Sequence, residues 1–351
     1  MIGRDDRLAT VLEAVVRLYS RTGQPVSSAL VVGWLGGAVS SATVRGDMGR
    51  LERDGFLAKP HVSAGRVPTD AGFRAFVNRL LVAAPGEVAA GRGLRALVDR
   101  ELERSRGTHA MVKALAALLC RLTDNIGIIL GPAWDEVRAR RLDLYPKENR
   151  RVLMVLVLDN ALVRTGTFAV DLDVTPEALD DAARILSERI SGRTIDEIRH
   201  GVLASLDVDD SDAGRIARDV ARNGAALFDD VEAADLELMG VANVLDEPEF
   251  SDPGQLKRLV KFLESPREIR SALRRLSPEN EDGIAVWIGS ENPIGELQAF
   301  SLVSSPFLLG ERRGVLAVLG LRRMSYDRTI AGMQVLIQGL KQLPRGEEGR
   351  T

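Results

Sequence analysis

The sequence predicts an α+β protein with more than one domain, and three observations lead to that prediction. The chain has 351 residues, more than most single domains contain. Helical hydrophobic periodicity dominates the first eighty residues, whereas apolar runs typical of strands recur from about residue 151 onward. The composition is globular, with 45 % hydrophobic and 28 % charged residues. We therefore expect a helical N-terminal domain followed by a larger part in which helices pack on sheets.

The N-terminal domain begins with three predicted helices. Ser27 is a suitable N-cap for the second helix, and Ser40 or Ser41 for the third. A Gly36-Gly37 pair forces a tight turn between these two helices, and Gly55 ends the third. The helices cover residues 7–20, 27–35 and 41–54. Two short helices joined by a glycine-containing turn are typical of a helix-turn-helix.

After the third helix, the pattern changes to that of a β-hairpin. Two short strands are predicted at 56–59 and 66–68, and the polar segment 60–65 lies between them. Thr69 or Asp70 then caps a fourth helix with an apolar inner face. A helix-turn-helix followed by such a hairpin predicts a winged helix-turn-helix, in which the hairpin loop is the wing.

The third helix has one apolar face and one face suited to DNA. Val44, Met48 and Leu51 share a narrow sector and are predicted to face the core, with Arg45 and Asp47 on the flanks. The outer face combines small residues with arginine, which suits close approach to a major groove. A solvated helix face is the alternative. The residues expected to contact DNA are Ser41, Ala42, Thr43, Arg45, Gly46 and Arg50 on the helix, and Lys59, His61, Ser63 and Arg66 on the wing.

Charge supports a nucleic-acid partner at one end of the chain. Residues 1–80 carry eleven Lys/Arg and seven Asp/Glu, a net charge of +4, so the remainder carries −7. The start of the chain has no apolar segment typical of a signal peptide, and no apolar run could cross a membrane, so we expect a cytoplasmic location and no membrane partner. One cysteine, Cys120, and three scattered histidines indicate no catalytic pair, metal site or cofactor, and we expect no enzyme.

Several segments resemble the HrcA family of heat-inducible transcription repressors. In the N-terminal domain they are 23–28 (Gly-Gln-Pro-Val-Ser-Ser), 39–48 and 60–74, the last being long and specific. In the C-terminal part they are 243–245, 248–250, 288–292, 314–320 and 323–326. The resemblance covers most of residues 7–340. It implies a homodimer that binds an inverted-repeat operator upstream of chaperone operons, releases it on heat stress and depends on the chaperonin GroEL.

The resemblance also implies a GAF-like α/β domain interrupted by an inserted dimerisation domain. The acidic stretch 207–252, with fourteen Asp/Glu and three arginines, overlaps the expected insertion and will not lie on DNA. Glycine- and charge-rich joints predict little coupling between domains. The predicted divisions are 1–84 (winged helix), 85–107 (linker with a short helix), 108–172 (first GAF-like part), 173–247 (insertion), 248–343 (second GAF-like part) and 344–351 (disordered tail).

The chain departs from the family pattern in three places, one of which spans two residues. The family usually has asparagine at the position of Gly46 and a basic residue at that of Ala29. The resemblance therefore does not fix the operator sequence that this chain prefers. Leu321-Arg322 stands where the family tends to have proline and threonine, a difference expected to be structural. A metabolite-gated repressor with the GAF-like domain as sensor is the alternative function.

Overall fold

A computed structural model of the protein divides into two compact units. One comprises Met1–Gly131, Leu236–Leu309 and Arg313–Leu343, and the other is formed mainly by Pro132–Asp235. Helices and antiparallel sheets occur in both, which confirms the α+β class. The structure describes residues 4–61, 64–82, 92–104, 108–132, 137–148, 150–158, 163–170, 174–198, 201, 206, 208–233, 236–245, 247–280, 283–309 and 312–342.

Four helices and a two-stranded hairpin form the N-terminal part of the first unit. They are α1 (Arg4–Thr22), α2 (Ser28–Trp34), α3 (Ser41–Arg53), β1 (Leu57–Ala58), β2 (Val67–Pro68) and α4 (Asp70–Val82). Ser27 and Ser40 cap α2 and α3 through their side-chain oxygens, as predicted. Gly36 and Gly37 have φ of +64° and +75°, and Gly55 has φ of +82° after α3. Left-handed glycines therefore end the helices where the sequence predicts.

The remaining elements form successive groups of helices and groups of strands. They are α5 (Arg92–Arg104), α6 (Thr108–Thr123), β3 (Ile126–Leu130), β4 (Ala139–Lys147), β5 (Arg151–Leu158), β6 (Val163–Ala169), α7 (Pro176–Ile190), α8 (Ile195–Glu197), α9 (Asp212–Ala233), β7 (Leu236–Met239), α10 (Val241–Leu245), α11 (Pro253–Leu263), α12 (Pro266–Leu276), β8 (Ala285–Ile288), β9 (Phe300–Leu309), β10 (Arg312–Leu321) and α13 (Tyr326–Gln342). Short 3₁₀ turns lie at Pro248–Ser251, Gly289–Glu291 and Gly295–Leu297.

A five-stranded sheet of order β7-β3-β10-β9-β8 forms the centre of the first unit. Because side chains alternate across a strand, β10 contributes to two cores. Leu316 and Val318 join a core that also contains residues of α6 and α13. Val315, Ala317 and Leu319 face the opposite side, where α11 and α12 pack. The sheet therefore has a helical layer on each face.

The N-terminal helices share a core with this sheet. One continuous hydrophobic cluster runs from α1 and α4 to residues of the sheet and α13. The rings of Phe73 in α4 and Tyr326 in α13 lie 5.7 Å apart between centroids. The predicted weak coupling of the domains is therefore wrong for the N-terminal part.

The segment predicted as a linker contains a helix that belongs to this core. Val98 and Leu102 of α5 are buried, and a Cβ at Gly339 of α13 would lie 2.9 Å from Val98 Cγ1. The sequence predicts a short helix in this segment. It does not predict the burial of the helix, because charged residues surround Val98 and Leu102. Where the chain between 85 and 107 is described, it is a core helix.

The second unit has its own sheet and core. Strands β4, β5 and β6 form an antiparallel sheet with α7 packed against it. The sequence predicts the strands at 151–158 and 162–170 in the first GAF-like part, but they lie in this separate sheet. The compact unit begins at residue 132, whereas the insertion is predicted from 173. Alternation along a strand shows which face is buried but not which sheet the strand joins. The predicted tail, 344–351, lies outside the described residues.

Candidate nucleic-acid interface

The outer face of α3 is exposed over the first half of the helix, and Gly49 and Arg50 further along are partly buried. Ser41, Ala42, Thr43, Arg45 and Gly46 are all exposed. The inner face is buried, as predicted; its members are Val44, Met48 and Leu51. The helix therefore presents a continuous surface of small residues and one arginine.

The two arginines predicted to read bases differ in their surroundings. Arg50 lies 3.6 Å (Nε to Oδ2) from Asp54, one turn further along the helix. An exposed pair of this kind contributes little to stability and can exchange for another anion. Arg45 has no ion pair within the described part of the chain. Arg45 is thus the side chain of α3 more available to a phosphate or a guanine edge.

The outward glycines of α3 have no packing role inside the protein. A Cβ added at Gly46 or Gly49 would meet no atom within 4 Å beyond the backbone of its own helix. Each glycine costs a helix about 1 kcal/mol relative to alanine. No contact within the described part of the chain therefore requires a glycine at either position.

Asp47, predicted on the flank of α3, is instead buried. Its side chain accepts two hydrogen bonds from Arg7 of α1, at 2.7 Å from Nε and 3.2 Å from Nη2. The hydrogen bond and the negative charge of Asp47 raise the pKa of the Arg7 guanidinium. This two-point pair fixes α3 against α1, because a fork of two bonds restricts rotation. Sequence reasoning missed it, since a charged residue on a helix flank gives no signal of burial.

The hairpin places Lys59 and His61 on an exposed surface. Arg66 is held more firmly: its Nε donates to Glu52 of α3 at 2.9 Å, and its backbone exchanges two 2.8 Å hydrogen bonds with Val26. Arg66 therefore connects the hairpin to α3 and to the residues before α2. Ser63 lies outside the described residues.

Two glycines make this close packing possible. A Cβ at Gly65 would lie 2.3 Å from the carbonyl oxygen of Val26, and one at Gly72 would lie 2.1 Å from that of Phe56. Neither gap can open without movement of backbone. The glycines of the 60–74 segment are thus required by the way the hairpin and α4 dock on the helices.

Polar contacts attach the N-terminal elements to the rest of the first unit. Asp70 accepts hydrogen bonds from Ser290, at 3.0 Å from the backbone nitrogen and 2.8 Å from the hydroxyl, and pairs with Arg322 at 3.3 Å. Arg322 stands at a position that departs from the family pattern, and in this structure it joins the two parts of the unit through Asp70. The other ion pairs across this junction are Arg17 with Asp327 and Arg74 with Glu291.

A cavity of about 170 Å³ lies beside this junction. Its lining includes Tyr19, Pro68 and Phe73 from the N-terminal elements and Arg322 and Arg323 from the segment after β10. Arg323 pairs with Glu247 and Glu249. Both arginines of the cavity are therefore engaged with carboxylates of the protein.

Among the described residues, no helix is long and apolar enough to cross a membrane.

Comparison with known proteins places the chain in a family. The HrcA protein C-terminal domain matches residues 109–330. The heat-inducible transcription repressor HrcA of Natranaerobius thermophilus is 31 % identical over 333 residues, covering 93 % of this chain and 92 % of the relative. That of Symbiobacterium thermophilum is 30 % identical over 344 residues, covering 97 % and 99 %.

The fold has a counterpart among solved structures. A hypothetical protein with a crystal structure at 2.2 Å resolution matches with a TM-score of 0.68 and 23 % identity, covering 96 % of this chain and 97 % of that chain. Since this identity is low, the similarity concerns the fold alone. The sequence matches extend over nearly the whole length of the repressors named above, so the chain belongs to the HrcA family of heat-inducible transcription repressors.

Proposed function

We propose that the protein represses class I heat-shock (chaperone) operons by binding an inverted-repeat operator as a homodimer in the cytoplasm and releasing it on heat stress. The observation that carries this proposal is the exposed outer face of α3, with two glycines that no internal contact requires. Its N-terminal elements act as a winged helix-turn-helix, and α3 lies in the major groove. The five-stranded sheet with its helices acts as the GAF-like domain.

Within this proposal the site residues have different roles. Ser41, Ala42, Thr43 and Gly46 form the close-approach surface of the helix. Arg45 and Arg50 reach base edges or phosphates. Ser63, Lys59 and His61 contact phosphates from the wing. Arg66 pairs with Glu52 and so positions the wing against α3. The guanidinium N–H groups of Arg66 that do not bind Glu52 contact DNA.

Dimerisation is proposed for the second unit, which takes the place expected of the insertion. Tyr145 and Val163, on β4 and β6, are about half exposed although apolar. A two-fold axis through this unit would hold two reading helices at a fixed separation, as an inverted repeat requires. The coupling to GroEL rests on the family resemblance.

A metabolite-gated repressor is the second candidate. The cavity beside Arg322 and Arg323 favours it, because a ligand there would touch both the N-terminal elements and the sheet. A small anion that displaced Glu249 from Arg323 would act at this junction. A thermal-shift screen, followed by DNA binding with each hit, separates the two candidates: a hit that changes operator affinity selects metabolite gating.

Fluorescence anisotropy tests the leading proposal. A duplex with the family's inverted repeat is compared with a scrambled duplex at several salt concentrations, with and without GroEL and ATP. We expect binding to the repeat at least about a thousandfold tighter than to the scrambled duplex. Equal affinity for both duplexes under all conditions would contradict sequence-specific repression through this operator.

A further inference from the structure

The helices α11 and α12 carry an unusually dense positive charge. Residues 253–276 contain seven Lys/Arg and two Glu, a net charge of +5, which exceeds that of the first eighty residues. The apolar face of both helices is buried against the sheet, so most of these charges point outward. We call this the basic surface; it consists of Lys257, Arg258, Lys261, Arg267, Arg274 and Arg275, all exposed.

Most of the basic surface is not neutralised within the protein. Lys261 pairs with Glu296 at 2.8 Å between Nζ and Oε1. Among the described residues, Lys257, Arg258, Arg267 and Arg275 form no ion pair. Cations one turn apart on a helix, such as Lys257 and Lys261, repel each other and weaken it. These charges therefore do not stabilise the fold, and their arrangement fits an anionic partner.

The basic surface begins near β2, the strand that ends the proposed wing. Val67 and Pro68 of β2 line the same cavity as Gln255 of α11 and Arg322. Lys257 and Arg258 follow Gln255 within one helical turn. The basic surface therefore begins close to the strand that ends the hairpin, within the first compact unit. The cavity between them also carries Asp70 and Glu249, which pair with Arg322 and Arg323.

We propose that the basic surface binds the phosphate backbone of operator DNA beyond the base pairs reached by α3 and the wing. This inference rests on the proposed function and extends it to the flanks of the operator. Arginine suits phosphate because its planar fork donates two parallel hydrogen bonds. An acidic protein segment would satisfy the same charges, but the position of α11 near β2, at the end of the proposed wing, favours DNA. The contacts carry no base preference, so they add affinity at any flanking sequence.

The test compares duplexes of different length. Anisotropy is measured with the full chain on a duplex limited to the inverted repeat and on a duplex with the same repeat and about ten added base pairs on each side. The variant carries Lys257→Ala and Arg258→Ala together. The matched control carries Lys113→Ala and Arg121→Ala, two exposed cations of α6, which packs on the opposite face of the sheet.

The native chain and the control are expected to bind the longer duplex at least about tenfold more tightly than the short one at 0.1 M salt. The Lys257/Arg258 variant is expected to lose this gain, bind the short duplex normally, and show a salt slope on the longer duplex reduced by about 0.9 for each lost phosphate contact.

Equal native affinity for the two duplexes overturns this inference and leaves the proposed function intact. Loss of the flank effect in the control also overturns it, since the effect would then be general. A native chain that binds neither duplex overturns both proposals. Polyglutamate that binds the native chain but not the variant, with no effect of duplex length, assigns the surface to an acidic protein instead.

Discussion

The outer face of α3 and the segment that runs from the hairpin into α4 both contain glycines, but the surroundings of those glycines are opposite. Gly46 and Gly49 have open space where a Cβ would project, whereas Gly65 and Gly72 lie against backbone carbonyls of Val26 and Phe56. The second pair is required for the fold. The first pair weakens its helix and is required for nothing inside the described structure. The second pair therefore serves folding, and the first pair is left for the proposed contact with DNA.

Gly72→Ala tests the folding side of this comparison and has the largest expected effect. The added methyl group would lie 2.1 Å from the carbonyl oxygen of Phe56, so backbone must move. We expect a loss of about 3 kcal/mol in the free energy of unfolding. Urea denaturation measures it, with Gly33→Ala in α2 as the control because that site is open. A Gly72→Ala protein as stable as native would show that α4 can shift freely.

Arg45→Ala tests the recognition side. If Arg45 contacts a base, specific affinity falls by about 1–3 kcal/mol while affinity for scrambled DNA changes less. Lys59→Ala, on the wing, is the matched comparison. We expect it to lower the affinity for operator and scrambled DNA by similar amounts and to reduce the salt slope of binding by about 1. Anisotropy on operator and scrambled duplexes gives both values. If Arg45→Ala lowered the affinity for both duplexes equally, Arg45 would contact a phosphate and not a base.

Gly46→Ala and Gly49→Ala link the two sides, because stability and binding should change in opposite directions. Each substitution should stabilise α3 by about 0.5–1 kcal/mol, since alanine is the better helix former. Operator affinity should fall if the helix lies close to the groove. Urea denaturation and anisotropy on the same samples provide the comparison. Unchanged affinity in both variants would contradict close approach at these positions.

The smallest expected effect is the pH dependence of stability at the junction between the N-terminal elements and the rest of the first unit. Burial is the largest influence and raises the pKa of Glu249. The hydrogen bond from Arg323, a backbone hydrogen bond and the positive charges of Arg323 and Arg322 together outweigh it, so the net pKa lies below its ordinary value. Glu249 therefore contributes stability above the ordinary carboxyl pKa, and that contribution is lost as the pH falls through the lowered value.

Urea denaturation between pH 7 and pH 3 tests this contribution. Glu249→Gln should lose less stability than the native chain over that interval, because the carboxylate that is protonated is no longer present. Glu264→Gln, at the exposed end of α11, serves as the control. Parallel curves for native and Glu249→Gln would show that the pair with Arg323 does not stabilise the junction.

Much of the N-terminal part could be predicted because its boundaries depend on local chemistry. Serine caps and left-handed glycines act within a few residues, so α2, α3 and the hairpin lie where the sequence predicts. The burial of Asp47 could not be predicted, because its partner, Arg7, is 40 residues away. The sheet to which β5 belongs could not be predicted either, since its continuous run of apolar residues fits a strand in any buried sheet.

The contact between α4 and α13 has a consequence for the order in which the protein is made. Residues of the N-terminal core are synthesised early, but Tyr326, on which Phe73 packs, emerges more than 250 positions later. Synthesis proceeds at about 5–20 residues per second, so a gap of this length lasts roughly ten seconds or more. During that time the N-terminal core lacks the packing that α13 supplies to α4. The complete N-terminal core therefore exists only after α13 has been synthesised.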